Sequence, residues 1–156
     1  MLVPEELIRL TDTGVALIVG TSDGRNVPEL CRGWGVRVLS DRLQLEVCVP
    51  LGSGARVLAN IVETGNIAIT LVQPTTYRSF QVKGRAQVVG EPSAGDLERV
   101  SRHQQRFIEE VAAIGMAGPE AARLFDSESV PGMSVIRMTV ESLFDQTPGP
   151  GAGARL

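Results

Sequence analysis

The stretch Arg78-Ser79-Phe80-Gln81-Val82-Lys83-Gly84-Arg85-Ala86-Gln87-Val88 sets Phe80, Val82, Gly84, Ala86 and Val88 against Ser79, Gln81, Lys83, Arg85 and Gln87. A period of two is that of a strand with one face on a core and the other toward water. Gly84 brings no side chain to that core, so the strand is expected to bend, bulge or meet a second backbone there. Such a position suits a sheet that curls into a barrel.

Working toward the amino terminus, Ile67 to Val72 reads as a strand. Before it, Val57, Leu58, Ile61 and Val62 share one face of a short crossover helix over Ala55 to Glu63, which Gly65 closes. Leu43, Leu45, Val47 and Val49 alternate with Gln44, Glu46 and Cys48 in another strand, entered through the turn Ser40-Asp41-Arg42. One strand from about Val27 to Leu39 and another over Val15 to Val19 flank the turn Ser22-Asp23-Gly24. Glu5 to Leu10 opens the chain as a short helix, with Pro4 where a missing amide costs nothing.

Toward the carboxyl terminus, Ser93 and Asp96 have the spacing of a capping box. Leu97, Val100, Phe107, Ile108, Val111 and Ile114 then form the apolar stripe of a helix over 94 to 114. Pro119 can start a shorter helix through Phe125, and Ser134 to Leu143 returns to strand composition. Thr147 to Ala154, rich in Gly and Pro, is a loop or an extended arm. The sum is a mainly β fold with added helices, a six-stranded antiparallel barrel with helices after the third and fifth strands. One domain is expected over residues 1–146, with a helical insertion at about 93–127 and a tail over 147–156.

Composition narrows the function. In 156 residues, 18 acidic and 15 basic side chains leave a net charge of −3 and no long like-charged run, which argues against nucleic acid or an anionic membrane as partner. The longest apolar runs fall far short of the roughly 20 residues that span a bilayer. Glu5 and Glu6 stand where an export signal carries basic residues, so a cytoplasmic protein is expected. Cys31 and Cys48 lack metal-ligand spacing and read as free thiols, and no metal site is expected.

Unaided catalysis has little to work with. His103, the only histidine, lies in the polar run Ser101 to Arg106 of a helix, which favours a surface or packing role. The carboxylates Asp12, Asp23, Asp41, Glu63 and Glu91 sit at turns and helix ends, where they cap. No catalytic residue can be named, and the chemistry must come from a cofactor. The segment Pro50-Leu51-Gly52-Ser53-Gly54-Ala55-Arg56 joins a strand to a helix amino terminus, where free amides favour an anion. Ser53 and Arg56 there could clamp a phosphate, or they could be an N-cap and an exposed arginine.

Taken in order, the strand 14–21, the Asp23-Gly24 turn, the strands 27–39 and 43–49, the helix ending Leu58-Ala59-Asn60, the strand Asn66-Ile67-Ala68-Ile69 and the run Tyr77 to Ala86 resemble the pyridoxamine 5′-phosphate oxidase-like FMN-binding split barrels. The match covers about residues 7 to 91 and resumes at Val135 to Gln146, similar to that family's closing strand. The resemblance implies a homodimer with FMN at its interface, the phosphate held by basic and hydroxyl side chains and the ring against strand backbone. Deazaflavin and haem are the lesser alternatives.

Carried over residue by residue, the resemblance puts Arg32, Gly33, Trp34 and Gly35 on the first flavin-contacting strand and Val47 and Cys48 at the end of the next. Ser53 and Arg56 match the phosphate loop, and Ser79 matches a polar flavin contact. Asp145 and Gln146 fall where a partner subunit approaches the ring. The local alternatives are a core or interface role for Trp34, an exposed strand arginine for Arg32, a small buried apolar group for Cys48 and an outward polar side chain for Ser79. Two departures stand out. The family's phosphate loop often carries adjacent basic residues, whereas Arg56 lies between Ala55 and Val57. Arg155 is followed by no histidine, so pyridoxamine 5′-phosphate oxidase activity itself is not implied. What the resemblance implies is a flavin-dependent oxidoreductase acting on a small molecule. The alternative is a non-enzymatic split barrel, either binding a flavin, haem or other planar cofactor or serving as a structural homodimer.

Overall fold

The computed structural model describes residues 1–116, 119, 120, 123 and 132–156. Along the chain run α1 (Glu5–Thr11), β1 (Ala16–Ser22), β2 (Pro28–Arg32), β3 (Trp34–Val38), β4 (Gln44–Pro50), α2 (Ala55–Thr64), β5 (Asn66–Val72), β6 (Ser79–Gly90), α3 (Ala94–Ala113) and β7 (Met133–Asp145). The helix expected from Pro119 through Phe125 falls largely outside the described residues.

Seven strands, not six, form one antiparallel sheet in the order β2-β1-β5-β6-β7-β4-β3. The difference lies at Gly33. The apparently continuous strand from Val27 to Leu39 breaks there, its first half pairing with β1 and its second with β4. The two edge strands of the sheet are therefore joined by a single residue, and the sheet must curl on itself. A side chain at Gly33 would put Cβ 2.7 Å from a Val47 methyl and 2.9 Å from one of Leu17, so only glycine lets the two edges meet over this core. A pattern read along one strand cannot reveal a change of pairing partner imposed by residues far away in sequence.

The barrel interior is filled by Leu17, Val19, Leu45, Val47, Ile69, Leu71, Phe80, Val82, Ile136 and Met138, each at most 1% exposed. Leu7 and Leu10 of α1 join that core, as do Val57 and Ile61 of α2. Gly84 behaves as its place in the alternation requires, because the β6–β7 register shifts between Lys83 and Gly84. A Cβ on Gly84 would lie 1.9 Å from the carbonyl oxygen of Thr139. The barrel bends where these two backbones touch.

α3 opens with the expected capping box. The Asp96 amide donates to the Ser93 hydroxyl, and the Asp96 carboxylate accepts from the Ser93 amide. α3 lies on the outer face of β3 and β4, closing a second core of Trp34, Cys48, Val100, Phe107, Val111 and Val135. The tail turns at Gly149 and comes back, so that Arg155 bridges to Phe144 and the Leu156 amide donates to the Leu143 carbonyl. Among the described residues no helix is long and apolar enough to cross a membrane.

Candidate functional site

Residues paired across a ladder share a face of the sheet, which decides where each candidate side chain points. In the β1–β2 ladder Ile18, Gly20 and Ser22 pair with Arg32, Leu30 and Pro28 on one face, and Val19 and Thr21 pair with Cys31 and Glu29 on the other. Thr21 accepts a hydrogen bond from Asn60 of α2 at 3.1 Å, and Glu29 accepts one from Arg56 of α2 at 3.0 Å. Arg56 and Ser53 therefore belong to the α2 face, whereas Arg32 projects from the opposite, outer face.

Arg32 is the anomaly of that outer face. Its guanidinium carbon lies 5.2 Å from the ring centroid of Phe107 and 5.9 Å from that of Trp34. Nη1 is buried and has no hydrogen-bond partner among the described residues. Burial pulls the pKa of the group down, and no ion pair is found for it among the described residues. A half-buried cation with no counter-charge among the described residues is costly, and an anion or acceptor brought against it would relieve that cost.

Next to it the chain is tightly built. Trp34 is 4% exposed, pairs with Cys48, and meets His103 and Phe107 edge-to-face at centroid distances of 5.5 and 5.7 Å. Cys48 is fully buried, and burial pushes its thiol up to about 11. Val47 faces the barrel interior. Gly35 sits in an irregularity of the β3–β4 ladder with φ of +60°, and α3 holds both of its backbone groups. Its amide donates to His103 Nδ1 at 2.8 Å and its carbonyl accepts from Arg99 Nε at 2.6 Å. The second ring nitrogen of His103, 2.8 Å from the Val15 carbonyl, must then be the protonated one. Burial lowers the pKa of His103, which stays a neutral strut between α3, β3 and the start of β1. It has the expected packing role, from the interior rather than the surface.

A third group forms at the far ends of β6 and β7. Ser79 is buried, its hydroxyl donating to the Tyr77 carbonyl at 2.7 Å and its carbonyl accepting from the Gln146 amide at 2.9 Å. Arg78 bridges Asp145 at 2.5 Å and Glu6 at 2.6 Å. With help from Thr147, Arg78 holds the Asp145 carboxyl down at about 2. Asp145 pairs with Phe80 and Val135 with Cys48, so ten residues of β7, about 33 Å of strand, separate this group from Trp34 and Cys48 in one protomer.

The structure thus brings together Arg32, Gly33, Trp34, Gly35, Val47 and Cys48. Ser53 with Arg56, and Ser79 with Asp145 and Gln146, form separate groups. Arg56 remains 81% exposed at the side chain, and its helix has no side-chain cap.

Sequence reading missed the outer face beside Arg32. A cleft of about 310 Å³ lies over Gly20 and Ala68, bordered by Leu30, Pro28, Asn66 and Lys83. Leu30 is 67% exposed there. Small residues at outward positions of neighbouring strands leave a flat stretch of sheet, a signal present in the sequence as Gly20 opposite Ala68 but visible only once the register is known.

No family model matches the chain, and no curated protein does. Solved structures do. HupZ of Group A Streptococcus superposes with a TM-score of 0.57 at 18% identity, over 97% of this chain and 100% of that one. An F420 reductase gives 0.58 at 16% identity, over 90% and 98%. A pyridoxamine 5′-phosphate oxidase-related, FMN binding protein from Nostoc punctiforme gives 0.53 at 17% identity, over 97% and 89%. With the sheet order, the curl at Gly33 and these superpositions in agreement, the chain has the fold of the pyridoxamine 5′-phosphate oxidase-like split barrels.

Proposed function

We propose that this protein binds FMN as a homodimer and works as a flavin-dependent oxidoreductase on a small molecule. The observation that carries the reading is Arg32, a half-buried guanidinium beside two aromatic rings, with an Nη1 that has no partner among the described residues, on the same outer face as Leu30 of the flat cleft. A planar cofactor with hydrogen-bond acceptors at its edge would satisfy that donor and cover the apolar strip of Ile18, Leu30 and Ala68. A bound flavin supplies the electron or hydride transfer. The residues of this chain would anchor and orient it. Arg32 would donate to it from the outer face, and Ser53 and Arg56, on the opposite α2 face, would offer a hydroxyl and a cation to its phosphate only around the edge strand β2. Asp145 and Gln146 of a second copy would close the site. Trp34 and Cys48, buried under α3, would support Arg32 from behind rather than touch the ring.

The homodimer rests on the same face, because exposed Leu30 and Val27 border a half-buried apolar strip that one protomer leaves open. The likeness to an F420 reductase favours a second reading, a deazaflavin in place of FMN.

Titrating FMN, riboflavin and F420 against wild type and Arg32→Met separates these readings. FMN should bind wild type most tightly, and Arg32→Met should weaken it at least tenfold while the protein still melts cooperatively. Preference for F420 would favour the deazaflavin reading. Equal affinity of wild type and Arg32→Met would remove Arg32 from the site.

A further inference from the structure

On the other side of Gly35 from the aromatic cluster, a separate cleft of about 160 Å³ opens between the end of α1, β3 and α3. Among the described residues Arg37, Arg99, Arg102 and Arg106 line it, together with His103 and one acidic residue, Asp12. Arg99, Arg102 and Arg106 stand at i, i+3 and i+7, so one face of α3 presents three cations side by side. Like charges at such spacings destabilise a helix unless something compensates them.

The compensation among the described residues is incomplete. Glu46 takes up Arg37 and Arg137, Asp96 takes up Arg99, and Glu98 takes up Arg102. Arg106 reaches only the carbonyl oxygen of Asp12 among the described residues. The acids that could reach it along the helix are engaged elsewhere, Glu109 accepting from Gln105 and Glu110 from Gln73 and Thr75. Arg99 Nη2 is buried without a partner among the described residues, although its Nε and Nη1 are held by Gly35 and Asp96. Spare guanidinium donors of α3 therefore border one small polar space. At about 30 Å³ per water the cleft holds roughly five waters, room for one phosphate or carboxylate group and not for a nucleotide.

We propose that this cleft binds a small oxyanion, the phosphate or carboxylate group of a small molecule, with Arg102 and Arg106 as its principal donors and Arg99 behind them. The site is independent of the flavin reading. Planar guanidinium forks match both anions, and a compact basic cleft raises their local concentration even on a chain of net negative charge.

Calorimetric titration of flavin-free protein with inorganic phosphate, and separately with acetate, at constant ionic strength tests it. Wild type should bind at least one of the two saturably at one site per chain, and the stronger of the two identifies the anion class. Arg106→Gln should weaken that binding about tenfold or more, as the loss of one charge-assisted hydrogen bond of roughly 1.5–3 kcal/mol requires. Arg102→Gln provides a second variant that leaves the fold intact, since its side chain is 57% exposed and bonds only Glu98 among the described residues. It should weaken binding in the same direction. Arg25→Gln should change nothing, because Arg25 is exposed in the turn between β1 and β2 and does not line this cleft, and Arg56→Ala is titrated beside it to tell the cleft from the α2 loop. Absence of saturable binding by either anion, or unchanged affinity in both arginine variants, overturns the proposal. Loss of phosphate binding in Arg56→Ala alone would assign the anion to the α2 loop instead and equally overturn it.

Discussion

His103→Phe keeps an aromatic ring in the second core but removes both ring nitrogens. In wild type those nitrogens satisfy the Gly35 amide and the Val15 carbonyl, each at 2.8 Å and both buried. The substitution leaves two backbone groups unpaired, at about 1–3 kcal/mol each, for a total loss of about 2–6 kcal/mol. With a shift of about 2–4 °C per kcal/mol for a chain of this size, a loss of 3 kcal/mol lowers Tm by about 6–12 °C. Urea unfolding followed by the fluorescence of Trp34, which packs against His103, reads the loss directly. The same residue makes a pH prediction. Burial holds its folded pKa below the ordinary value of 6.5. Its contribution to stability is therefore complete above the unfolded pKa and is lost as pH falls from there toward the folded value. The slope cannot exceed about 1.4 kcal/mol per pH unit for one proton. Wild type should weaken as pH falls below about 6.5, and His103→Phe should lack that contribution. A loss under about 1 kcal/mol, or the same slope in both proteins, would refute the strut.

Arg56→Ala should change stability by less than about 1 kcal/mol, because it removes one exposed ion pair to Glu29. Flavin fluorescence quenching should nevertheless show FMN bound tenfold to a hundredfold more weakly by this variant, with most of the preference over riboflavin gone. Gly84→Val should prevent folding, since its Cβ would collide with the Thr139 backbone, and soluble yield with far-UV circular dichroism would show it. Cys48 should resist a thiol-specific chromogenic reagent at pH 8 in the native protein and react once urea opens the second core, because its thiol is buried and titrates at about 11.

The strands were legible wherever alternation is local. β6 from Ser79 to Val88, β4 from Leu43 to Val49, the Ser93–Asp96 box and the Gly65 stop can all be read within a few residues. The division of 27–39 at Gly33 could not be, because it depends on Val47 and Leu17 arriving from other strands. In sequence His103 stands among polar neighbours, Ser101, Arg102, Gln104 and Gln105, whereas Val100, Phe107 and Val111 at helical spacing from it mark the buried stripe. For the candidate site, the run Arg32 to Gly35 and the pair Val47-Cys48 did converge. The opposition of Arg32 and Arg56 across the β1–β2 ladder follows from register, which no single strand carries. That Arg32 meets no counter-charge among the described residues depends on everything packed around it.

The most direct test of the flavin reading is the visible absorption spectrum of protein incubated with excess FMN and then freed of unbound cofactor. The account predicts the bands of oxidised flavin at one FMN per chain, shifted from those of free FMN. A colourless protein after that treatment would contradict it.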